Sequence, residues 1–365
     1  MFRKLRKATI GITMTINVVV IIAMVVFGYG GHLNPEHHPR LAAMTLLFPA
    51  ALIANTAMLA IWLVTCWKGT VIPLIGYLIC FPPIRTYLPL NPQKDLPKGT
   101  IKVISWNIYL FALGDTVGHT HPSIQYLIDS DADIICLQEA DHSTVRYQYD
   151  HILRPHYPYY HQYNHKKSGD NMVLFSRFPI LSDELIPYHS DSNLSLAYVL
   201  DINGRKTLVV NNHLESNMLN RNERDGFTQM MKGKMQKDAA RRESRNLLTK
   251  LGHAAQTRAS QARTVADYIA KARREGMSVI VCGDFNDNPL SYAHHTICRD
   301  LTDCHTAAAF GPGFSFNRNR MFVRIDNIFC SDEWQPYNTT VDRSITTSDH
   351  YPIVCHLKYK AEAND

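Results

Sequence analysis

Residues 279–286 read Val279-Ile280-Val281-Cys282-Gly283-Asp284-Phe285-Asn286, an apolar run that ends abruptly in polar side chains. β-Branched residues favour a buried strand, and a strand cannot easily bury Asp or Asn in its middle. We therefore predict a strand over 279–282 whose end carries Asp284 and Asn286. Because these two residues are two positions apart, they lie on the same face of an extended chain.

Five other motifs have the same construction, with polar side chains beside an apolar stretch. They are Ser105-Trp106-Asn107, Leu137-Gln138-Glu139, Asn211-Asn212-His213-Leu214, Ile325-Asp326-Asn327-Ile328-Phe329 and Ser348-Asp349-His350-Tyr351-Pro352. The apolar stretches predict further strands over Ile101–Ile104, Ile134–Leu137, Thr207–Val210 and Val323–Ile325. Carboxylates at the ends of neighbouring strands converge on one rim, an arrangement typical of a metal-assisted site.

The six motifs, in this order, resemble those of the endonuclease/exonuclease/phosphatase superfamily. Its fold is shared by pancreatic deoxyribonuclease, abasic-site endonucleases, sphingomyelinases and inositol polyphosphate 5-phosphatases. The resemblance covers residues 98–359, about 260 residues and a normal size for one domain. It implies an α/β fold, a four-layer α/β/β/α sandwich of two mixed sheets, and a catalytic domain over 100–360.

The resemblance also implies a metal site for Mg²⁺ or Mn²⁺ at Asn107, Glu139 and Asp349. Glu139 supplies a hard carboxylate oxygen, the kind of ligand that these ions prefer. Asn107 adds an amide beside the ion, and Asp349 lies near it. Abasic-site endonucleases of this fold carry a second acidic residue shortly after the Trp-Asn pair, where this chain has Tyr109. That departure weakens an abasic-site assignment.

By the same resemblance, five residues form the catalytic machinery. Asp284 accepts a proton from the attacking water, and Asn286 holds that aspartate and the phosphate. His213 contacts the phosphate and assists the leaving oxygen. His350 donates to the developing phosphorane, and Asp326 orients it, since a carboxylate partner stabilises the charged imidazole.

Two asparagines are assigned to substrate binding. Asn211 shares a face with His213, and Asn171 opens a segment that resembles the family's core strand and turn. Arg177, later in that segment, is interpreted as a turn or surface residue.

The 365-residue chain is longer than one such domain needs, and residues 1–90 differ in composition. Neither Ala8–Gly31 nor Leu41–Trp67 contains a charged residue, and each exceeds the ~20 residues that cross a bilayer as a helix. We predict a membrane anchor with spans over 9–30 and 41–66. A cleaved signal peptide is disfavoured because a second span follows at once. Residues 70–90 contain Pro73 and Arg85, so a third span and a re-entrant segment both stay open, with crossing favoured.

The basic N-terminus, Arg3-Lys4-Leu5-Arg6-Lys7, predicts a cytoplasmic start for the first span. Three spans then place the catalytic domain outside the cytoplasm, whereas two leave it in the cytosol. The short Pro-rich linker 91–99 holds the domain close to the lipid bilayer. We therefore expect a multi-pass protein of the cell membrane with an extracytoplasmic catalytic domain, resembling a membrane-anchored bacterial type of the family.

A basic helical insertion is predicted over 218–260. Residues 218–275 hold 14 Lys and Arg against 6 Asp and Glu, a net charge of +8. The insertion is interpreted as a solvated helical face, or as a surface for anionic lipid or nucleic acid. Nucleic acid is the weaker choice because few aromatic residues interleave the basic ones.

The leading hypothesis is a membrane-anchored, divalent-metal-dependent phosphoesterase that hydrolyses a phosphodiester or phosphomonoester. The alternative is a nuclease that degrades extracytoplasmic DNA or RNA. A catalytically inactive binding protein on this fold is disfavoured because no motif residue is missing. The substrate is thus a phosphate ester, and nothing in the sequence indicates an obligate protein partner. Cys298 and Cys304 form a candidate disulfide in an oxidising compartment.

Overall fold

The computed structural model describes residues 2–112, 120–164, 171–190, 193–217, 234–318 and 322–360, together with 219, 223, 225, 226, 229 and 232. The helices are α1 (Phe2–Tyr29), α2 (Pro39–Met44), α3 (Phe48–Thr65), α4 (Val71–Ile79), α5 (Phe81–Tyr87), α6 (Pro122–Asp129), α7 (His142–Gln148), α8 (Lys237–Arg274), α9 (Tyr292–Ile297) and α10 (Cys304–Ala308). The strands are β1 (Ile101–Asn107), β2 (Ile134–Gln138), β3 (Tyr159–Asn164), β4 (Asn171–Ser176), β5 (Ile180–Leu185), β6 (Ser195–Ile202), β7 (Arg205–His213), β8 (Ser278–Asp284), β9 (Thr302–Asp303), β10 (Asp326–Cys330), β11 (Trp334–Val341) and β12 (Ile353–Tyr359).

Within the described residues, the strands form two mixed sheets of six. Their orders are β11-β12-β1-β2-β4-β3 and β5-β6-β7-β8-β10-β9. Each sheet contains one parallel pair, β1 with β2 and β7 with β8. Antiparallel pairing of β12 with β1 and of β10 with β8 completes the centre of each sheet. The predicted fold class is therefore confirmed.

Alternate residues of each central strand face different layers, as the two-residue period of a strand requires. Val103 and Val209 belong to the core between the two sheets. Ile104 packs outward in the cluster that contains α6 and α7 residues. Leu208 packs outward with Val265 of α8. This produces the four layers, with helices on both outer faces.

One strand was predicted on the wrong side of Asp326. Residues 323–325 were expected to form a strand with Asp326 at its end, but β10 begins at Asp326. β10 is antiparallel to β8 and pairs Asp326 with Asp284. Asp326 therefore reaches the same rim from the first residue of its strand, not from the last.

The predicted basic insertion is part of a longer helix. α8 runs without a break from Lys237 to Arg274, so the helix of the 218–260 segment continues into the crossover that precedes β8. Its second half buries Ala262, Val265 and Ile269 against the second sheet. Most of residues 218–236 lie outside the described part of the chain.

Cys298 and Cys304, whose pairing the sequence left open, do not form a disulfide. All eight cysteines lie within the described residues, and all are free. Cys304 points into the core between the sheets, with its Sγ 3.7 Å from Sγ of Cys330. Cys298 packs against the outer cluster and donates to the carbonyl of Leu301. The two thiols belong to different layers.

The N-terminal residues form a separate apolar bundle. Among the described residues, two helices are long and apolar enough to cross a membrane, Leu5–His32 and Pro39–Thr65. Trp67–Ile79 and Phe81–Tyr87 form a bent pair, at 67°, that also passes this test when taken together. The bend coincides with the Pro82-Pro83 pair that follows Phe81.

A buried network of polar side chains connects the helices of the bundle. The Asn17 side chain donates from Nδ2 to Oδ1 of Asn55 at 3.2 Å and accepts from Nε1 of Trp62 at 2.9 Å. Asn55 in turn donates to the carbonyl of Pro73 at 3.1 Å. These bonds join α1, α3 and α4, in a setting where an unsatisfied polar group is costly.

The bundle also packs on the catalytic domain. Leu290, just after β8, is buried among Met24 and Phe48. The Asn288 side chain donates to Oγ1 of Thr45 at 2.8 Å. Gly31 lies so close to the carbonyl of Leu290 that a Cβ would clash with it. The segment after β8 is thus held by the N-terminal apolar bundle.

Candidate active site

The six motifs meet at one rim of the sandwich. The parallel strands β1 and β2 end at Asn107 and Gln138, and β7 and β8 end at His213 and Asp284. β10 starts at this rim because it runs antiparallel to β8. The loop 348–350 lies there because it leads into β12, which runs antiparallel to β1.

Asp284 lies at the centre of this rim and is almost fully buried. Its Oδ2 accepts from Nδ2 of Asn107 at 3.2 Å and lies 3.8 Å from Nε2 of His213 and 3.7 Å from Nε2 of His350. Its Oδ1 accepts from the backbone N–H of Asn286 at 2.8 Å. Four predicted site residues therefore contact one carboxylate.

Asn286 holds Asp284 with its backbone and not with its side chain. The side-chain Nδ2 donates to the carbonyl of Leu214 at 2.9 Å. The residue has φ of +52°, so the chain turns sharply just after the strand and returns its N–H to the carboxylate.

Burial raises the pKa of Asp284, and the neighbouring charges of His350 and His213 oppose this rise. A carboxylate with a raised pKa is a stronger proton acceptor than an exposed aspartate. This electrostatic state fits the predicted role of a general base.

His350 and Asp326 form a buried pair. Nδ1 of His350 lies 2.9 Å from Oδ2 of Asp326, and the ring packs at 5.1 Å from the ring of Phe316. Burial lowers the pKa of His350, but Asp326 and Asp284 outweigh it and raise that pKa to about 10. His350 is thus an imidazolium at neutral pH and presents a donor to the site.

Glu139 lies at the more open side, with its side chain 30% exposed. Its Oε1 accepts from Nδ2 of Asn107 at 3.0 Å and lies 3.6 Å from Nε2 of His213. A carboxylate oxygen that faces solvent beside an amide suits Mg²⁺ or Mn²⁺, because these ions keep several of their waters. The residues present therefore fit a divalent cation.

Among the described residues, Asp284, Asp326 and His350 form a compact donor group, with one ligand atom from each within 4.8 Å of the others. Both nitrogens of His350 face these two carboxylates. That is the arrangement of a charged imidazole between two acids, so we place a hard divalent ion on the Glu139 side.

Asp349 is paired with Arg318, which sequence reasoning missed. Nη1 of Arg318 lies 3.1 Å from Oδ2 of Asp349, and its guanidinium stands 4.9 Å over the ring of Tyr109. Arg318 brings a partly exposed cation to the rim. No sequence motif identifies Arg318, because it lies in a loop whose position depends on tertiary contacts. A metal role for Asp349 stays a prediction.

The two predicted substrate contacts are placed differently. Asn211 is fully buried between the sheets, where it accepts from the Gln138 side chain at 2.6 Å and donates to the carbonyl of Leu137 at 3.1 Å. Both ends of its amide are thus engaged in joining the sheets. Asn171 begins β4 at the rim, and within the described residues its Oδ1 has no hydrogen-bond partner.

A second residue that sequence reasoning missed is Arg258 of α8, which is 2% exposed. Its guanidinium contacts Asp287 at 3.0 Å, the carbonyl of Glu215 at 2.9 Å and Oδ1 of Asn217 at 3.0 Å. Asn217 donates in turn to the carbonyl of Asn286. Arg258 thereby links the two loops that follow His213 and Asp284.

Arg177, by contrast, takes the surface role that was expected of it. It pairs with Asp131 and Asp133 beside the turn after β4, away from the rim residues.

Residues 104–350 match a family model described as Endonuclease/Exonuclease/phosphatase family. Residues 10–87 match a second model, described as Domain of unknown function (DUF8431). No curated protein matches the chain.

Solved structures of this fold resemble the chain at low sequence identity. A D. rerio TDP2 complexed with single-strand DNA product superposes with a TM-score of 0.51 at 18% identity and covers 72% of this chain and 100% of its own. The human Nocturnin catalytic domain with bound sulfate gives 0.50 at 18% identity, covering 74% and 98%. A humanized D. rerio TDP2 gives 0.50 at 19% identity, covering 71% and 99%. At these identities the likeness shows the fold.

Proposed function

The chain belongs to the endonuclease/exonuclease/phosphatase family, and we propose that it is a membrane-anchored, divalent-metal-dependent phosphoesterase with an extracytoplasmic catalytic domain. The observation that carries the proposal is the contact of Asp284 with Asn107, His213 and His350. Three separate motifs converge on this one buried carboxylate, whose pKa is raised by burial.

The rim brings a base and a donor side by side, with Oδ2 of Asp284 3.7 Å from Nε2 of His350. Asp284 accepts the proton of the attacking water. His350, held by Asp326, donates to the phosphoryl oxygens as negative charge develops on them. His213 donates to the phosphate or the leaving oxygen.

A divalent cation fits beside Glu139 and Asn107. When bound, it polarises the phosphoryl oxygens and offsets their charge. Arg318 adds a second positive charge on the Asp349 side. These groups suit a phosphodiester or a phosphomonoester.

The extracytoplasmic location rests on the path of the third apolar segment. Ile21 of α1 lies against Gly76, and Gly28 lies against Pro83. A later residue of α1 therefore contacts a later residue of the α4–α5 segment. The α4–α5 segment thus runs parallel to the first span. A segment parallel to α1 ends on the side where α1 ends.

Catalytic-domain contacts support the same topology. Gly31 after α1 lies against Leu290, and the carbonyl of Thr86 in α5 accepts from Arg324 at 2.7 Å. Both contacts lie at the C-terminal ends of apolar segments that run parallel to each other. With a cytoplasmic N-terminus, this arrangement favours three crossings and an extracytoplasmic enzyme.

A nuclease of extracytoplasmic DNA or RNA is the second candidate. The first turns of α8 expose Lys237, Arg241, Arg242 and Arg245. A basic row of this kind attracts nucleic acid, and it attracts anionic lipid equally well.

Full-length protein in lipid nanodiscs with Mg²⁺ tests the proposal. Bis(p-nitrophenyl) phosphate, p-nitrophenyl phosphate, single-stranded DNA and phospholipids are offered in parallel. We expect phosphoester hydrolysis that Asp284→Asn lowers by about 10²-fold or more, since the base is lost. Asp129→Asn, at an exposed position on α6, is the matched control. Equal activity of the two variants would contradict the proposed site, and cleavage of DNA alone would favour the nuclease.

A further inference from the structure

Three large apolar side chains are strongly exposed beside the anchor. Phe310 is 72% exposed, Leu90 64% and Phe322 58%. Leu90 and Phe310 form an antiparallel bridge, and the N–H of Gly311 donates to the carbonyl of Pro89 at 2.7 Å. Exposed apolar side chains that cluster in this way mark a surface that another apolar phase covers. We call Leu90, Phe310 and Phe322 the apolar loop surface.

The apolar loop surface continues from the last membrane segment. α5 ends at Tyr87, three residues before Leu90. The ring of Tyr87 packs 6.4 Å from the ring of Phe314, which lies 6.2 Å from the ring of Phe322. Tyrosine at the end of an apolar segment is typical of the boundary between membrane and water. The surface therefore lies where that segment leaves the bilayer.

The same loop reaches the active site. Phe316, two residues beyond Phe314, bridges to His350. Phe314 contacts Tyr87, and Phe316 contacts His350. Because two residues span at most about 7 Å of chain, these two contacts lie close together. Arg318, two residues further on, pairs with Asp349 at the rim.

The opposite side of the site is equally close to the anchor. Asn288, two residues after Asn286, is bonded to Thr45. Leu290 is buried within the anchor. The rim is therefore bordered on both sides by segments that contact the ends of the apolar helices, and its opening lies near the bilayer surface.

We propose that the apolar loop surface inserts into the outer boundary of the bilayer and that the substrate is a phosphoester carried by a lipid headgroup. The inference rests on the proposed phosphoesterase activity. Inserted side chains of this size hold a surface at headgroup depth. The exposed cation Arg318 then stands where a headgroup phosphate enters.

Insertion is tested first, by a measurement that does not depend on activity. A bimane label is attached at Phe310→Cys in a full-length chain whose partly exposed Cys66 and Cys298 are serine. The chain is placed in nanodiscs with and without lipids doxyl-labelled near the headgroup. The control is the same label at Leu181→Cys on β5, which is also exposed. We expect quenching at position 310 and none at 181. Absence of quenching at 310 would overturn insertion. A change in bimane fluorescence that appears only at high protein concentration would also overturn it, because it would indicate contact with a second copy of the chain.

The substrate class is tested with the Phe310→Ser, Phe322→Ser double variant, with Leu181→Ser as control. Phospholipids in nanodiscs are compared with soluble bis(p-nitrophenyl) phosphate. We expect lipid hydrolysis to fall by about tenfold or more as the apolar contacts are lost, while soluble-substrate turnover stays within about twofold. An equal loss on both substrates, or wild-type activity on the soluble ester with none on any lipid, would overturn the proposal. Quenching at 310 without hydrolysis of either substrate would contradict the phosphoesterase itself.

Discussion

Oδ2 of Asp284 and Nε2 of His350 lie 3.7 Å apart, and their surroundings raise the pKa of both groups for different reasons. Asp284 gains basicity from burial, whereas His350 is kept charged by Asp326. These residues were predictable because each belongs to a short motif beside an apolar run. Arg318 was not, because its approach to Asp349 depends on the path of a loop without such a pattern.

A single histidine outside the site provides a pH prediction. His305 is 1% exposed, and its Nε2 lies 3.0 Å from the carbonyl of Gly311. Burial, with a further contribution from Arg324, lowers the pKa of His305 from 6.5 to about 3. Between these values the unfolded chain binds a proton that the folded chain does not. The free energy of unfolding should therefore fall as pH drops below 6.5, by about 1 kcal/mol per pH unit from this residue.

His305→Gln retains a donor for Gly311 and removes the titration. We expect its thermal midpoint, measured in detergent between pH 7 and pH 4.5, to fall less steeply than that of the wild type. His151→Gln, at an exposed position, is the control. Parallel pH curves for wild type and His305→Gln would contradict the assignment.

At the level of elements, four of the five predicted strand stretches were correct and one was not. Four predicted stretches lie within β1, β2, β7 and β8. They were predictable because the residues on both faces of these strands are mostly apolar. The 323–325 stretch failed because apolar residues before Asp326 looked like a strand, while the pairing of Asp326 with Asp284 is a long-range choice. Sequence periodicity carries no information about which strand end reaches the rim.

Helix α8 contributes a positioning residue, Arg258. Replacing it with Met removes the bonds to Glu215 and Asn217 and the ion pair with the partly buried Asp287. The loops that follow His213 and Asp284 should then lose their relative placement, and with it the Asn286 N–H that donates to Asp284. We expect kcat to fall by about 10- to 100-fold with KM little changed, because orientation is lost while the groups remain.

Arg258→Lys is the informative companion, since it keeps the charge near Asp287 and should recover part of kcat. Arg146→Met, at an exposed ion pair, is the matched control and should behave as wild type. A purely structural role would appear instead as a lower thermal midpoint with unchanged kcat in the folded fraction.

For the whole molecule, the N-terminal apolar bundle packs directly on the two-sheet domain. The apolar N-terminus was evident from its lack of charge, but its contacts with the segment after Asn286 were not. Those contacts are a close approach of Gly31 to Leu290 and a hydrogen bond from Asn288 to Thr45, which no motif distinguishes. Only the folded chain brings the N-terminal apolar helices to within a few residues of Asp284.

The parallel path of α1 and the α4–α5 pair predicts the side of the membrane on which catalysis occurs. Alkaline phosphatase fused after Lys98 should be active in bacterial cells, and green fluorescent protein fused there should be dark. A fusion after Lys68, between the second and third segments, should give the reverse pattern. A fluorescent Lys98 fusion would place the enzyme in the cytosol and contradict three crossings.

We propose that a divalent cation beside Glu139 serves the Asp284 site in phosphoester hydrolysis. The most direct measurement is bis(p-nitrophenyl) phosphate turnover by full-length protein as Mg²⁺ is titrated after removal of metal by chelator. We expect no turnover in chelator, full recovery with Mg²⁺, and a loss of about 10²-fold in Glu139→Gln at any Mg²⁺ concentration, because a charged ligand is lost at constant shape. Full wild-type activity in excess chelator, or unchanged turnover in Glu139→Gln, would contradict this account.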